Sequence, residues 1–118
     1  MKDLLENTNR INLLYDFYKL LLTDKQQTFM KYYYQDDYSL GEIAENFNIS
    51  RQAVYEHIKR AEQTLEDYEQ RLRLLELYEK RRRIVDQMEE IVQQPGPKDP
   101  AEFHTLNGLI QALKILDR

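Results

Sequence analysis

Ser50-Arg51-Gln52 opens a stretch in which Tyr55, Glu56, Lys59 and Arg60 recur at three- and four-residue steps, so all of them share the outer face of one helix. Arg and Gln are well suited to base edges, because each forms paired hydrogen bonds, to guanine and adenine respectively. Ser50 and the free amides at the helix start could hold a phosphate. The same residue types also suit any solvated helix face. Glu56 and the acidic residues around it oppose phosphate contacts, which supply most non-specific affinity for nucleic acid. A second basic set follows, Lys80-Arg81-Arg82-Arg83, preceded by Arg71 and Arg73. It could clamp a phosphate backbone or an acidic protein surface. Glu76 stands four residues before Lys80 and Glu79 four before Arg83, so pairing along the helix accounts for part of the run.

Little else in the chain offers chemistry. His57 and His104 stand apart from any nucleophile or carboxylate pattern, and neither a Gly-rich phosphate loop nor metal-ligand spacing occurs. No catalytic residue, metal or cofactor is expected, and the chain reads as no enzyme. Tyr32, Tyr33, Tyr34 and Tyr38 invite base stacking. Core packing is the stronger expectation, with Tyr32 the residue whose exposure would decide. Cysteine is absent, which removes disulfides and thiolate metal sites. The first six residues include Asp3 and Glu6 and lack an apolar signal core, and no apolar run approaches the roughly 20 residues of a membrane span. A cytoplasmic protein without a membrane role is expected.

The elements that must position these residues are helical. At 118 residues with three Gly and three Pro, the composition favours long helices in one small domain with an extension. Ile11, Leu14, Tyr15, Tyr18, Leu21 and Leu22 predict a first amphipathic helix ending near Leu22. Thr23-Asp24-Lys25-Gln26 and Ser39-Leu40-Gly41-Glu42 have the form of capping boxes. The first opens a helix carrying Phe29, Met30, Tyr33 and Tyr34; the second opens one with Leu40, Ile43, Ala44 and Phe47 inward. Ser50 caps a third. Small Ala44, Asn48 at the turn, Ile49, and inward Val54 and Ile58 complete the parts of a helix-turn-helix. From Arg51 to Gln94 no Gly or Pro intervenes, which predicts one very long helix. Its apolar stripe shifts face near Leu72 to Tyr78, where a bend or break would fall. Pro95-Gly96-Pro97 stops it. Asp99-Pro100-Ala101-Glu102 starts a last helix, expected to fold back antiparallel on Ile84, Met88 and Ile91. The expected architecture is therefore all-α, with a helix-turn-helix domain over residues 1–70 and a helical extension over 71–118. The net charge is -4. Residues 1–70 hold eight Lys and Arg against thirteen Asp and Glu, giving -5, and residues 71–118 hold nine against eight, giving +1.

The stretch from Leu22-Thr23-Asp24-Lys25-Gln26, through Ser39-Leu40-Gly41-Glu42-Ile43-Ala44-Glu45, to Ser50-Arg51-Gln52-Ala53-Val54 resembles the fourth conserved region of sigma factors. Asp36-Asp37-Tyr38-Ser39-Leu40, Ser50-Arg51-Gln52-Ala53-Val54-Tyr55, Ile58-Lys59-Arg60 and Asp16-Phe17-Tyr18 resemble the YlxM-like family of small bacterial proteins, closely over residues 8–70. The sigma resemblance implies groove reading by Arg51, Gln52, Tyr55 and Glu56, although the other sigma regions are missing. The YlxM-like resemblance implies an accessory or regulatory role in the signal recognition particle pathway, with the particle's RNA or a protein component as partner. A DNA-binding transcriptional regulator is the alternative. A structural adaptor is the third, because the stripe from Leu72 to Ile91 exceeds what one helix covers, which would make a homodimer through the long helix.

Overall fold

The computed structural model describes residues 2–117. Among them there is no strand, and six α-helices follow in order: α1 (Lys2–Tyr18), α2 (Asp24–Met30), α3 (Leu40–Phe47), α4 (Arg51–Leu72), α5 (Leu74–Gln93) and α6 (Pro100–Leu116). The chain is all-α, as its composition indicates. It divides into two compact units, Met1–Leu75 and Glu76–Arg118.

Side chains and a left-handed residue set the helix boundaries of the first unit. Thr23 Oγ1 accepts the Gln26 amide at 3.1 Å while Gln26 Oε1 accepts that of Thr23 at 3.1 Å. Ser39 and Glu42 repeat the reciprocal pair. Ser50 Oγ accepts the Ala53 amide at 3.0 Å. Each cap satisfies amides that the helix leaves open and contributes about 1 kcal/mol. Asn48 ends α3 in the left-handed region at φ 52°, and the Ile49 amide reaches back to the Ala44 carbonyl at 3.1 Å. Asn tolerates that conformation better than other residues with a side chain. Ile11, Leu14, Tyr18, Phe29, Met30, Ile43, Val54, Ile58, Ala61 and Leu65 form the core between α1, α2, α3 and α4.

Three departures from the 3.6-residue period change which apolar residues face inward. Lys19–Leu21 tighten into a 3₁₀ turn, so Leu22 is buried while Leu21 is 51% exposed. Lys31–Gln35 widen into a π-helical turn, which brings Tyr32 and Tyr34 against the core and turns Tyr33 outward. The third departure lies within Leu72 to Tyr78, where the apolar stripe shifts face: the chain breaks at Arg73, left-handed at φ 58°, so the long helix is two helices.

A buried carboxylate holds that break. Glu69 is 7% exposed. Its Oε1 accepts the Tyr18 hydroxyl at 2.6 Å and the Leu75 amide at 2.9 Å, while the Tyr18 oxygen accepts the Leu74 amide at 3.0 Å. The first two amides of α5 are thus capped by side chains of α4 and α1. Burial, and next the bond to Glu69, push the Tyr18 phenol up to about 12.

The second unit is an antiparallel pair, as expected of the last helix. Gly96 turns the chain at φ 93°, Lys98 Nζ donates to the Gln94 carbonyl at 2.6 Å, and Asp99 Oδ1 caps α6 through the Glu102 amide at 2.8 Å. Ile84 and Gln87 of α5 face Ala112 and Leu116 of α6. Two helices share one line of contact, so none of the core residues lies beyond Leu75.

Replacing Glu69 by Ala strands two buried donors. Glu69→Ala is expected to lower unfolding free energy by about 2–4 kcal/mol. Glu69→Gln, which keeps an acceptor, is expected to lose less. Urea denaturation followed by helical circular dichroism checks both, and an unchanged midpoint in Glu69→Ala would refute the capping role.

Candidate nucleic-acid interface

The outward face of α4 is set by what its other face must bury. Val54, Ile58, Ala61 and Leu65 are buried at three- and four-residue spacing. Arg51, Gln52, Tyr55, Glu56, Lys59 and Arg60 consequently all point to solvent, as does Ser50 at the cap. Arg51, Gln52 and Tyr55, with Leu40 of α3, line an open groove of about 530 Å³. Leu40 is the member that residue type did not reveal, since its apolar side chain reads only as core. Its place at the start of α3 is what brings it here.

Along the helix, the freedom of these groups falls. Among the described residues Arg51 has no ion pair or hydrogen-bond partner. Gln52 Nε2 reaches Glu56 Oε1 at 3.4 Å, a weak bond that a ligand could displace. Lys59 sits 3.3 Å from Glu62 Oε2 and 5.5 Å from the Tyr55 ring centre. Tyr34 donates to the other oxygen of Glu62, and burial followed by that bond drives its phenol well above the usual range. Arg60 Nη2 lies 3.2 Å from His57 Nδ1. The cap end of α4 is therefore where cationic and amide groups remain available. Its second and third turns are largely self-paired.

The tyrosine cluster is mostly structural. The Tyr32 ring stacks on Tyr38 at 4.9 Å and 3°, and packs against Phe47 at 5.8 Å, so its faces are occupied. Tyr33 is exposed and meets Tyr34 edge-on. His57 stacks on Phe29 at 5.0 Å, which joins α4 to α2.

The other basic residues are distributed between the units. Arg71 and Arg73 belong to the first and Lys80, Arg81, Arg82 and Arg83 to the second. Lys80 pairs with Glu76 at 3.3 Å as its spacing predicts, Arg81 with Asp117 at 3.0 Å, and Arg82 with Asp86 at 3.6 Å. No ion pair joins Glu79 to Arg83 among the described residues. Three of the four cations in the run are thus matched by carboxylates within the hairpin. No group of His, Cys, Asp and Glu that could hold a metal occurs among the described residues, and no helix of theirs is long and apolar enough to cross a membrane.

Residues 5–100 match the family model described as "Putative helix-turn-helix protein, YlxM / p13 like". The chain belongs to this YlxM / p13-like family. It is 56% identical over 104 residues to a protein of Listeria innocua, covering 88% of this chain and 94% of the relative. To the protein YlxM of Bacillus subtilis it is 48% identical over 113 residues, 96% and 98% of the two chains. A Geobacillus relative is 48% identical over 106 residues, 90% and 96%. The family is described as one of helix-turn-helix proteins.

Burial is the first cause that lowers the His57 pKa, followed by Lys25 and Arg60. The folded state then binds fewer protons than the unfolded one, so this contribution is full above about pH 6.5 and is lost as pH falls through the depressed folded value. Thermal melts between pH 7 and pH 5 should show a smaller loss in His57→Phe, which keeps the stacking on Phe29, than in the wild type. An equal loss in both would show that His57 carries none of it.

Proposed function

We propose that this YlxM-like chain acts by binding nucleic acid through its helix-turn-helix, as a regulator of transcription that presents the start of α4 to the major groove of DNA. The observation that carries the reading is the groove at that start, where unpaired Arg51 and weakly held Gln52 stand beside Tyr55. Ser50 and the first amides of α4 lie at the same end, suited to an adjacent phosphate.

A second reading keeps the chain in the signal recognition particle pathway, as an accessory component that binds the particle's RNA or a protein of the machinery. The charge of -5 over residues 1–70 opposes any phosphate backbone there, while the +1 of residues 71–118 does not, which moves the contact of this reading to the basic helices or to a protein partner. In this reading Arg71 and Arg83 are the cations of the basic helices that remain for an RNA backbone.

Titration with mixed duplex DNA and with particle RNA at several salt concentrations separates the two. Arg51→Ala/Gln52→Ala is expected to lose about 1–3 kcal/mol per residue of sequence-selective DNA binding. Under the second reading that variant is unaffected and Arg71→Gln/Arg83→Gln loses RNA affinity, with a shallower salt dependence. Binding of neither nucleic acid would remove the DNA reading and leave a protein partner.

A further inference from the structure

The hairpin of α5 and α6 has more apolar surface than its one line of contact can use. Helix α6 carries only two charged side chains, Glu102 and Lys114, yet no residue of it is buried. Leu106, Leu109, Leu113 and Leu116 are half-covered, while Phe103 is 60% and Ile110 38% exposed. On α5 the matching residues are Val92, 61% exposed, and Tyr78 at 39%, with half-buried Val85 between them. At about 100° per residue, both sets lie roughly a third of a turn beyond the residues in contact, in the same helical sense. In an antiparallel pair that displacement carries them to one flank of the hairpin. A helix apolar over half its circumference belongs in a bundle with another layer.

We infer that a second copy of this chain covers that flank, two hairpins closing into an antiparallel four-helix bundle. The charge order of α5 selects this occupant. Its basic run, Lys80 to Arg83, is followed by Asp86, Glu89 and Glu90. Antiparallel pairing of two α5 helices about a two-fold axis at Val85 sets Tyr78 across from the second copy's Val92 and brings Arg82 beside its Glu89. The order is complementary to itself, as an isologous interface requires. A partner of one sign would meet like charge on half of the helix. About 30 Å of helix by about 20 Å of breadth gives about 600 Å², the lower end of the roughly 600–1,000 Å² that each partner buries in a stable interface. This inference involves the hairpin alone and does not depend on which ligand the helix-turn-helix takes.

Sedimentation equilibrium of the full chain over a concentration series tests it. The wild type is expected to be a dimer, and Val92→Glu and Ile110→Glu, at exposed positions, to keep wild-type helicity while dimerisation weakens by about tenfold or more. Arg82→Glu is expected to weaken it and Arg82→Glu/Glu89→Arg to restore it, since the exchange recreates the pair across the axis. A wild type that stays monomeric throughout would overturn the proposal. So would a dimer indifferent to Val92→Glu and Ile110→Glu, or a double exchange that fails to restore association.

Discussion

The burial of one face of α4 under α1, α2 and α3 is the constraint on which the first unit depends. Val54, Ile58, Ala61 and Leu65 must all enter the same core, which leaves the helix no rotational freedom. Each buried aliphatic side chain contributes on the order of 1.5–3 kcal/mol, so a rotation exposing even two would exceed any gain from solvating the opposite face. The outward direction of Arg51, Gln52 and Tyr55 follows from that requirement. Small Ala44, 8% exposed, sits with Ile43 in the same core, so α3 lies close to α4 and Leu40 reaches the groove. The binding candidate is in this sense a by-product of packing.

Polar bonds at the edge of the same core determine where α4 stops. Tyr18 and Glu69 bring α1 and α4 together, and their oxygens take up the amides of Leu74 and Leu75 that an uninterrupted helix would have paired with its own carbonyls. A left-handed Arg73 costs roughly 1–2 kcal/mol, which capping of buried amides offsets. An exposed clamp from Arg10 to both oxygens of Glu66, at 2.9 and 2.8 Å, ties α1 to α4 one turn earlier. Being solvated, it adds little by itself.

Short-range chemistry was readable from the residues. The caps at Thr23, Ser39, Ser50 and Asp99 are local, each involving a side chain and an amide three positions on, and the turn at Asn48 is equally local. The inward positions of the helix-turn-helix follow from one period. What escaped the pattern required partners distant along the chain. The shift of the apolar stripe near Leu72 to Tyr78 marked where a break would fall, but not the Tyr18–Glu69 bond that holds it, which spans 51 positions. The 3₁₀ and π-helical turns moved Leu21 and Tyr33 outward because the period changed within them. Along the candidate face, residue type identified the exposed cations but not that Glu62, held by Tyr34, already engages Lys59.

The two units divide the chemistry: one offers a compact helix-turn-helix in an acidic setting, the other a hairpin with mixed charge and an uncovered apolar flank. If the groove is the seat of a nucleic acid, the ligand meets the first unit at the start of α4. Backbone amide shifts of isotope-labelled protein, recorded on addition of duplex DNA and separately of particle RNA, locate the contact residue by residue. Leu40, Arg51, Gln52 and Tyr55 are expected to move together when duplex DNA binds. Shifts confined to residues 76–117, with the start of α4 unmoved, would contradict that placement.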